Sequence, residues 1–300
     1  MGKIAALLND VCQERERLGA APGLRVQTLA AGADWGVEDV ICTYRPSDSS
    51  FEERHSRYRV ALVGAGTFQC RSVGAETLLT PGALLLGNPH DAFECGHEHG
   101  AGDRCLAFGY SAEMFEQLAF EAGVRGRPRL RGLCVPPIAA LAPLVAEASA
   151  VWAAAPGEAA FGAWEEIGVR LAAAAARFAA APARVPRTPA NAERGVARAV
   201  RLIEQDPAAP LAVKVLANEA GLSPFHFVRA FARVTGLTPH RYLKRVRLRQ
   251  AAVRLATNNS RVIDIALESG FRDVSNFNHA FRAEFGVAPL AQRKRLRRRH

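Results

Sequence analysis

The chain has 300 residues, enough for two domains, and 23% of them are charged. No segment reads as a membrane span, because the Ala-rich stretch 139–181 is interrupted by Pro143, Pro156 and several charges. The net charge of +10 is unevenly placed: residues 191–300 carry 21 Lys+Arg against 8 Asp+Glu, net +13, which leaves residues 1–190 at net −3. A basic module beside a mildly acidic one is the charge footprint of a nucleic-acid binder joined to something else. The six cysteines, at 12, 42, 70, 95, 105 and 134, form no C-x-x-C and suggest no disulfide framework. A reducing, cytoplasmic setting is therefore expected. The apolar run Ile4 to Leu8 is too short for a secretory leader.

Residues 1–19 read as a short amphipathic helix ending near Gly19. From Leu24 to Tyr110 the chain breaks into short alternating or apolar runs, such as Tyr58 to Val63, Thr67 to Arg71, Thr77 to Leu79, Ala83 to Leu86 and Arg104 to Gly109. Gly, Pro and Asp punctuate them, which predicts an antiparallel sandwich or barrel. Trp35, Tyr44, Phe51, His55 and Tyr58 fall in this region and are candidates for a pocket lining or for the core.

One cluster in this region carries chemistry: His90, Cys95, His97, His99 and Cys105. If residues 93–99 form a strand, Cys95, His97 and His99 share a face. Two imidazoles and a thiolate would suit Zn²⁺. Cys105 opens the next strand and could meet Cys95 across the turn. Arg104 beside it could lower the thiol pKa, so a thiol sensor for oxidants is an equal expectation. Gly96, Gly100 and Gly102 point instead to an irregular loop, in which the alternation is lost. No cofactor is fixed by these residues, and no G-x-S-x-G, P-loop or G-x-G-x-x-G occurs.

After Ser111 the period becomes helical, with Met114, Phe115, Leu118 and Ala119 on one side. Two further helices are expected near 138–154 and 158–181. Residues 181–190 are Pro-rich and read as a linker.

A pattern then appears twice. Ala217, Gly221, Phe227, Phe231, Gly236 and Pro239 are echoed by Ala266, Gly270, Phe277, Phe281, Gly286 and Pro289. The Ala and Gly are offset by 49 residues and the later positions by 50. In each copy a helix ends at a glycine whose backbone can turn sharply. A second helix then starts behind a cap: Ser223-Pro224 in the first copy, Asp273 in the second. Phe227, Ala230 and Phe231, and again Phe277, Ala280 and Phe281, make the buried stripes. Phe225, His226, Val228 and Arg229 face outward in the first copy, and Val274, Ser275, Asn278 and His279 in the second. One helical pattern runs from Pro239 to about Thr257 between the copies, with Leu248, Ala251, Ala252 and Leu255 inward. Its length of about 27 Å could hold two reading helices near one DNA turn apart, roughly 34 Å.

Leu222, Ser223, Pro224, His226, Phe227, Arg229 and Phe231, then Leu237, Thr238, Pro239, Tyr242 and Leu243, then Ala266, Gly270, Phe271, Asp273, Ser275, Phe277, Phe281, Gly286 and Pro289 stand at fixed spacing. This region, about Glu193 to Arg295, resembles the AraC/XylS family of transcription regulators. The resemblance implies an all-α domain with two helix-turn-helix motifs on double-stranded DNA. Phe225, Val228 and Arg229 would contact bases in one half-site, and Val274, Ser275, Asn278 and His279 in the other. Asn276 stands where the family favours an aromatic, and His279 where it favours Arg, so the first half should be read more strictly. Leu79 to His90 is similar to the strand and turn of the cupin-like sensory domain of these regulators.

The expected architecture is therefore α+β. A cupin-like antiparallel β-barrel with flanking helices spans 1–180 and senses a small effector or dimerises. A linker covers 181–192, the DNA-binding domain 193–295 and a basic tail 296–300. RNA polymerase as partner, activation as outcome and a homodimer follow from the resemblance. Two other readings stay open: a metalloenzyme built on His97-x-His99 with an appended DNA domain, and a constitutive regulator whose barrel only dimerises.

Overall fold

The computed structural model describes residues 2–72, 75–98, 100–154, 159–179 and 188–297. It is α+β, with a sheet-rich N-terminal region and a helical C-terminal domain. Helix α1 (Gly2–Leu18) leads into strands β1 (Leu24–Ala31), β2 (Trp35–Cys42), β3 (Phe51–Arg54), β4 (Tyr58–Gly66), β5 (Phe68–Ser72), β6 (Ala75–Leu79), β7 (Leu84–Gly87), β8 (Ala92–Gly96) and β9 (Asp103–Tyr110). After α2 (Ala112–Glu121) comes the two-residue strand β10 (Cys134–Val135). A 3₁₀ turn at Ala139–Leu141 precedes α3 (Ala142–Ala153) and α4 (Ala159–Ala179).

The strands form two sheets, in the orders β1-β2-β9-β4-β7-β10 and β3-β8-β5-β6. Among the described residues these sheets do not close into the expected barrel. The chain steps from the larger sheet to the smaller one between β2 and β3, at Thr67, and again at Asn88–His90, where His90 has φ 66°. No described strand pairing joins the two sheets. They stack face to face instead, as in a sandwich.

The period of two along each strand decides the layers. Val37 and Ile41, Val60 and Leu62, Leu84 and Leu86, and Leu106, Phe108 and Tyr110 point from the larger sheet into a core shared with α1 to α4. Their neighbours Ala61, Val63, Leu85, Cys105 and Ala107 point the other way, to meet Phe68, Cys70, Phe93 and Cys95 of the smaller sheet. Strands β4, β7 and β9 of the larger sheet are thus buried on both faces, which explains why they look continuously apolar, whereas the edge strand β1 is largely exposed.

The C-terminal domain runs α5 (Ala190–Gln205), α6 (Val213–Ala220), α7 (Pro224–Thr235), α8 (Pro239–Thr257), α9 (Val262–Glu268), α10 (Val274–Phe285) and α11 (Pro289–Arg297). Helix α5 starts three residues before the Glu193 boundary expected from sequence; of the linker and the basic tail, residues 181–187 and 298–300 lie outside the described residues. One core holds α5, α6, α7 and the first half of α8, through Val196, Leu216, Phe227, Phe231 and Tyr242. A second holds the rest of α8 with α9 and α10, through Leu248, Ala252, Ile265, Phe277 and Phe281. Ala146 of α3 belongs to that second core, so the N-terminal region packs directly on α8. Among the described residues no helix is long and apolar enough to cross a membrane.

One polar contact pins the N-terminal layers together. Arg104 on β9 donates to both carboxylate oxygens of Asp39 on β2, at 2.9 and 2.5 Å, and to the Ile4 carbonyl of α1 at 3.1 Å. Its guanidinium also lies 4.8 Å from the Trp152 ring centroid. Both partners are buried. Removing one leaves an uncompensated charge in the interior, so Asp39→Ala should cost about 3–5 kcal/mol. Chemical denaturation followed by far-UV circular dichroism should show an early loss of the β signal, while Ala at the exposed Glu52 should not shift it.

Candidate nucleic-acid interface and sensor cavity

Each repeat of the C-terminal domain folds as a helix pair whose sharp turn is made by glycine. Gly221, after α6, has φ 67°, and Gly270, after α9, has φ 83°. At Gly270 a Cβ would lie 2.8 Å from the Ala208 Cα and 2.9 Å from the Arg247 Nε, so space as well as backbone geometry requires glycine. The second helix of each pair starts on a side-chain cap. The Ser223 hydroxyl accepts from the His226 backbone N–H, and the Asp273 carboxylate accepts from the Asn276 N–H at 2.7 Å. Such caps satisfy orphan donors and hold the first turn, from which side chains reach outward.

The outward faces carry the expected residues. Phe225, His226 and Arg229 are exposed on α7, with Val228 half-buried. Ser275, Asn278 and His279 are exposed on α10, with Val274 half-buried. Phe225 is 67% exposed, unusual for so large an apolar ring, and the Arg229 guanidinium sits 5.5 Å from its centroid. This i,i+4 contact holds Arg229 extended along the helix face. Its spacing was visible in the sequence. On α10 the exposed residues are joined by Arg282, and with Val262 and Leu290 they line one shallow groove. Arg282 was not anticipated, because its helical phase lies one turn beyond the positions carried over from the family.

The two pairs are locked by a residue that sequence reasoning passed over. Arg247 of α8 donates to the Pro207 carbonyl at 2.6 Å, to the Ala209 carbonyl at 2.9 Å and to the Gly270 carbonyl at 2.9 Å. Pro207 and Ala209 precede α6, whereas Gly270 is the turn of the second pair. One guanidinium therefore ties both halves through three carbonyls, a use for which its planar fork is suited. In an Arg-rich helix nothing marks that arginine in advance.

The N-terminal sheets flank an open cavity of about 160 Å³. Val40, Ala61, Leu85, Phe93 and Ala107 give it an apolar middle. At one end are Glu38, Glu53, His55 and Arg59, and at the other Cys42, His97, Asp103 and Cys105. Arg59 bonds Glu38 at 2.6 Å. Burial, then the Arg59 charge, pushes the His55 imidazole down to about 4, so it is neutral near pH 7. Burial, then the Asp103 charge, raises the Glu53 carboxyl.

The sequence-based cluster is rearranged. Strand β8 ends at Gly96, so His97 lies in a turn and the alternation expected through residue 99 does not occur. His99 lies outside the described residues. His90 is exposed in its turn. Cys95 faces Cys70 across β5 and β8 rather than Cys105. Arg104 cannot activate Cys105, since successive residues of β9 point to opposite faces and Arg104 serves Asp39. Burial instead pushes the thiols of Cys95 and Cys105 up, with the Cys70 hydrogen bond the larger cause at Cys95. Buried, protonated thiols do not suit oxidant sensing. His97 meets Asp103, Nε2 to Oδ1 at 2.7 Å, and lies beside Cys42. Of the aromatics, Phe51 and His55 line the cavity, while Trp35 and Tyr58 are core.

A family profile described as a helix-turn-helix domain matches residues 216–295, from within α6 to within α11. Over 97 residues the chain is 34% identical to the regulatory protein SoxS of Salmonella typhimurium, covering 32% of this chain and 91% of that protein. It is 38% identical over 87 residues to the transcriptional activator RhaS of Klebsiella pneumoniae, covering 29% of this chain and 31% of that one. The chain belongs to the AraC/XylS family of transcription regulators. A solved AraC-type regulator from Chromobacterium violaceum aligns with 36% of this chain and 96% of its own, at 26% identity and a TM-score of 0.34.

The family assignment makes the C-terminal module of this AraC/XylS protein a DNA-binding domain. Within it, Arg247→Ala should loosen the two helix pairs relative to each other. The expected result is a loss of about 1.5–3 kcal/mol in stability, together with a larger loss of affinity for a full two-part site than for a half-site. An unchanged unfolding midpoint would contradict the clamp. A pH effect is expected from the N-terminal region. The folded His55 titrates at about 4, below its ordinary 6.5, so the unfolded chain takes up a proton first as pH falls. Stability from this group is present above pH 6.5 and is lost between about 6.5 and 4. His55→Gln should flatten that part of the stability-versus-pH curve in urea titrations.

Proposed function

We propose that this AraC/XylS regulator reads a two-part promoter site with α7 and α10 and that its N-terminal region adjusts this reading to a small effector held in the cavity. The observation that carries the reading is the pair of capped helices, each with an exposed polar face, held on one helix by Arg247. On α7, Phe225, His226, Val228 and Arg229 are the proposed DNA contacts. On α10 they are Val274, Ser275, Asn278 and His279, with Arg282 on the flanking phosphate. Arg229, preset by Phe225, is the strict reader, and His279 is the weaker one. The tandem helix-turn-helix and the cupin-like character of the sensor belong to this proposal, as do RNA polymerase as partner, activation as outcome, a homodimer and a cytoplasmic location.

The coupling rests on α8. Its Arg249 is buried and donates to Glu204 of α5 at 2.8 Å and to the Pro81 carbonyl, in the turn before β7, at 3.2 Å. Its Arg245 donates to the Pro137 carbonyl of the N-terminal region and pairs with Glu284 of α10 at 2.9 Å. An effector that favours one seating of that turn on α8 biases the DNA-reading helices, provided that it binds the two seatings unequally.

The test begins with selection of bound DNA from a random pool. Two half-sites about one helical turn apart are expected. Arg229→Ala should cost about 1–3 kcal/mol and relax preference at one base pair. A uniform loss over all sequences would make Arg229 a phosphate contact instead. Affinity should fall steeply with salt, on the order of 10³-fold between 50 and 200 mM if six phosphates are held.

A further inference from the structure

The geometry points to a binding site for one soft divalent cation, of the Zn²⁺ class, at the inner end of the sheet cavity, held by Cys42, His97 and Asp103. Three separate elements bring these residues together. Cys42 ends β2 and Asp103 begins β9, and the two stand directly opposite each other in the antiparallel register. His97 arrives from the turn after β8, in the other sheet. One donor atom from each lies within 4.8 Å of the other two, and all three residues are buried. A metal at its usual ~2.0–2.3 Å from N, O and S donors sets those donors about 3.3–3.8 Å apart. The His97–Asp103 pair, at 2.7 Å, stands inside that spacing and must open for the ion to enter, while no pair of donors is more than 4.8 Å apart.

The chemistry fits as well as the spacing. A thiolate and a carboxylate together carry two negative charges, and a neutral imidazole adds none. A divalent ion bound to them leaves the buried centre neutral, which removes the main cost of holding charge there. Buried polar atoms rarely lack a partner, yet His97 Nδ1, on a ring only 1% exposed, has none. The Asp103 carboxylate stands beside Cys42 and accepts from the Cys105 thiol, so this end of the cavity offers negative charge and sulfur to a cation. Uptake replaces the Cys42 S–H bond by an S–metal bond and releases the proton to solvent, so affinity rises with pH. The three residues line the cavity, and the Cys105 thiol, which donates to Asp103 Oδ2 at 3.1 Å, is a further donor at hand. The inference deepens the sensor reading by naming the ligand class. It rests on that reading only for the consequence at DNA.

The experiment uses the full chain, stripped with a chelator and titrated with Co²⁺. One equivalent should raise a near-ultraviolet thiolate-to-cobalt band, which Zn²⁺ then displaces. Cys42→Ser should abolish the band, and His97→Ala and Asp103→Asn should each weaken Co²⁺ binding at least tenfold. Cys70→Ser and Cys134→Ser should leave it intact. Far-UV circular dichroism and DNA affinity of each metal-free variant separate a lost site from a lost fold, and Cys42→Ala serves if the serine variant unfolds. No band up to millimolar Co²⁺ would overturn the site, as would a band that survives Cys42→Ser in a folded chain or depends on Cys70. DNA affinity with and without Zn²⁺ is a separate measurement. If the band behaves as expected but DNA affinity does not change, the site stands and the sensor reading falls.

Discussion

The structure depends on the burial of α8. Ten of its nineteen residues are buried, and they do not fall on one stripe. Tyr242, Leu243 and Val246 fill the first helical core, and Leu248, Ala251, Ala252 and Leu255 fill the second. Arg249 is buried against the N-terminal region and α5. A helix enclosed on several sides cannot slide to suit one neighbour without disturbing the others. Each arginine it buries must also find acceptors in place. Arg245, Arg247 and Arg249 do so at three different surfaces, using main-chain carbonyls where no carboxylate is at hand. Their stems add apolar contact while their forks set the geometry.

This also accounts for what could and could not be read from the sequence. The helix pairs were legible almost to the residue, since glycine turns, Ser and Asp caps and Phe stripes are local signals with local causes. Some strands were legible too: the runs Thr67 to Arg71 and Ala83 to Leu86 fall within a residue of β5 and β7, while β1, β2 and β3 had no run of their own. Closure was not legible. Whether strands seal into a barrel depends on which edges meet, and the sheet change at Thr67 leaves no mark that a single strand's pattern would carry. Alternation failed where glycines interrupted it. His97 was expected to share a strand face with Cys95, but the strand stops at Gly96, and a two-residue periodicity means nothing one residue past a strand's end. Cys42, sixty-one residues before Asp103 in the sequence, had no local signal; only the β2–β9 register places them side by side.

The same logic explains Arg104. A cation next to a cysteine in sequence suggests an activated thiol. In a strand it means the opposite, because neighbours face opposite layers. Arg104 enters the helical layer with Asp39 and Trp152, while Cys105 enters the layer between the sheets. The carboxylate that Cys105 does meet is Asp103, two residues away and on its own face. The electrostatics of the cavity are thus set by the pleat, which keeps the arginine out and brings the acid in.

The cavity and the helices proposed to read DNA are linked by a short physical path. Strand β7 lines the cavity with Leu85 and Gly87. The turn that begins it, Thr80 to Ala83, presents the Pro81 carbonyl to Arg249 and, at 3.4 Å, to Tyr242. Gly82 allows that approach: a Cβ there would stand 2.5 Å from the Arg249 guanidinium. A change in the cavity that displaces β7 along its length must move a turn already in contact with α8 and without slack. Packed interiors of this kind shift between discrete seatings rather than deform smoothly. The proposed control of DNA reading by the N-terminal region therefore needs no long relay. It needs two seatings of one turn, separated by a few kcal/mol, and an occupant of the cavity that distinguishes them.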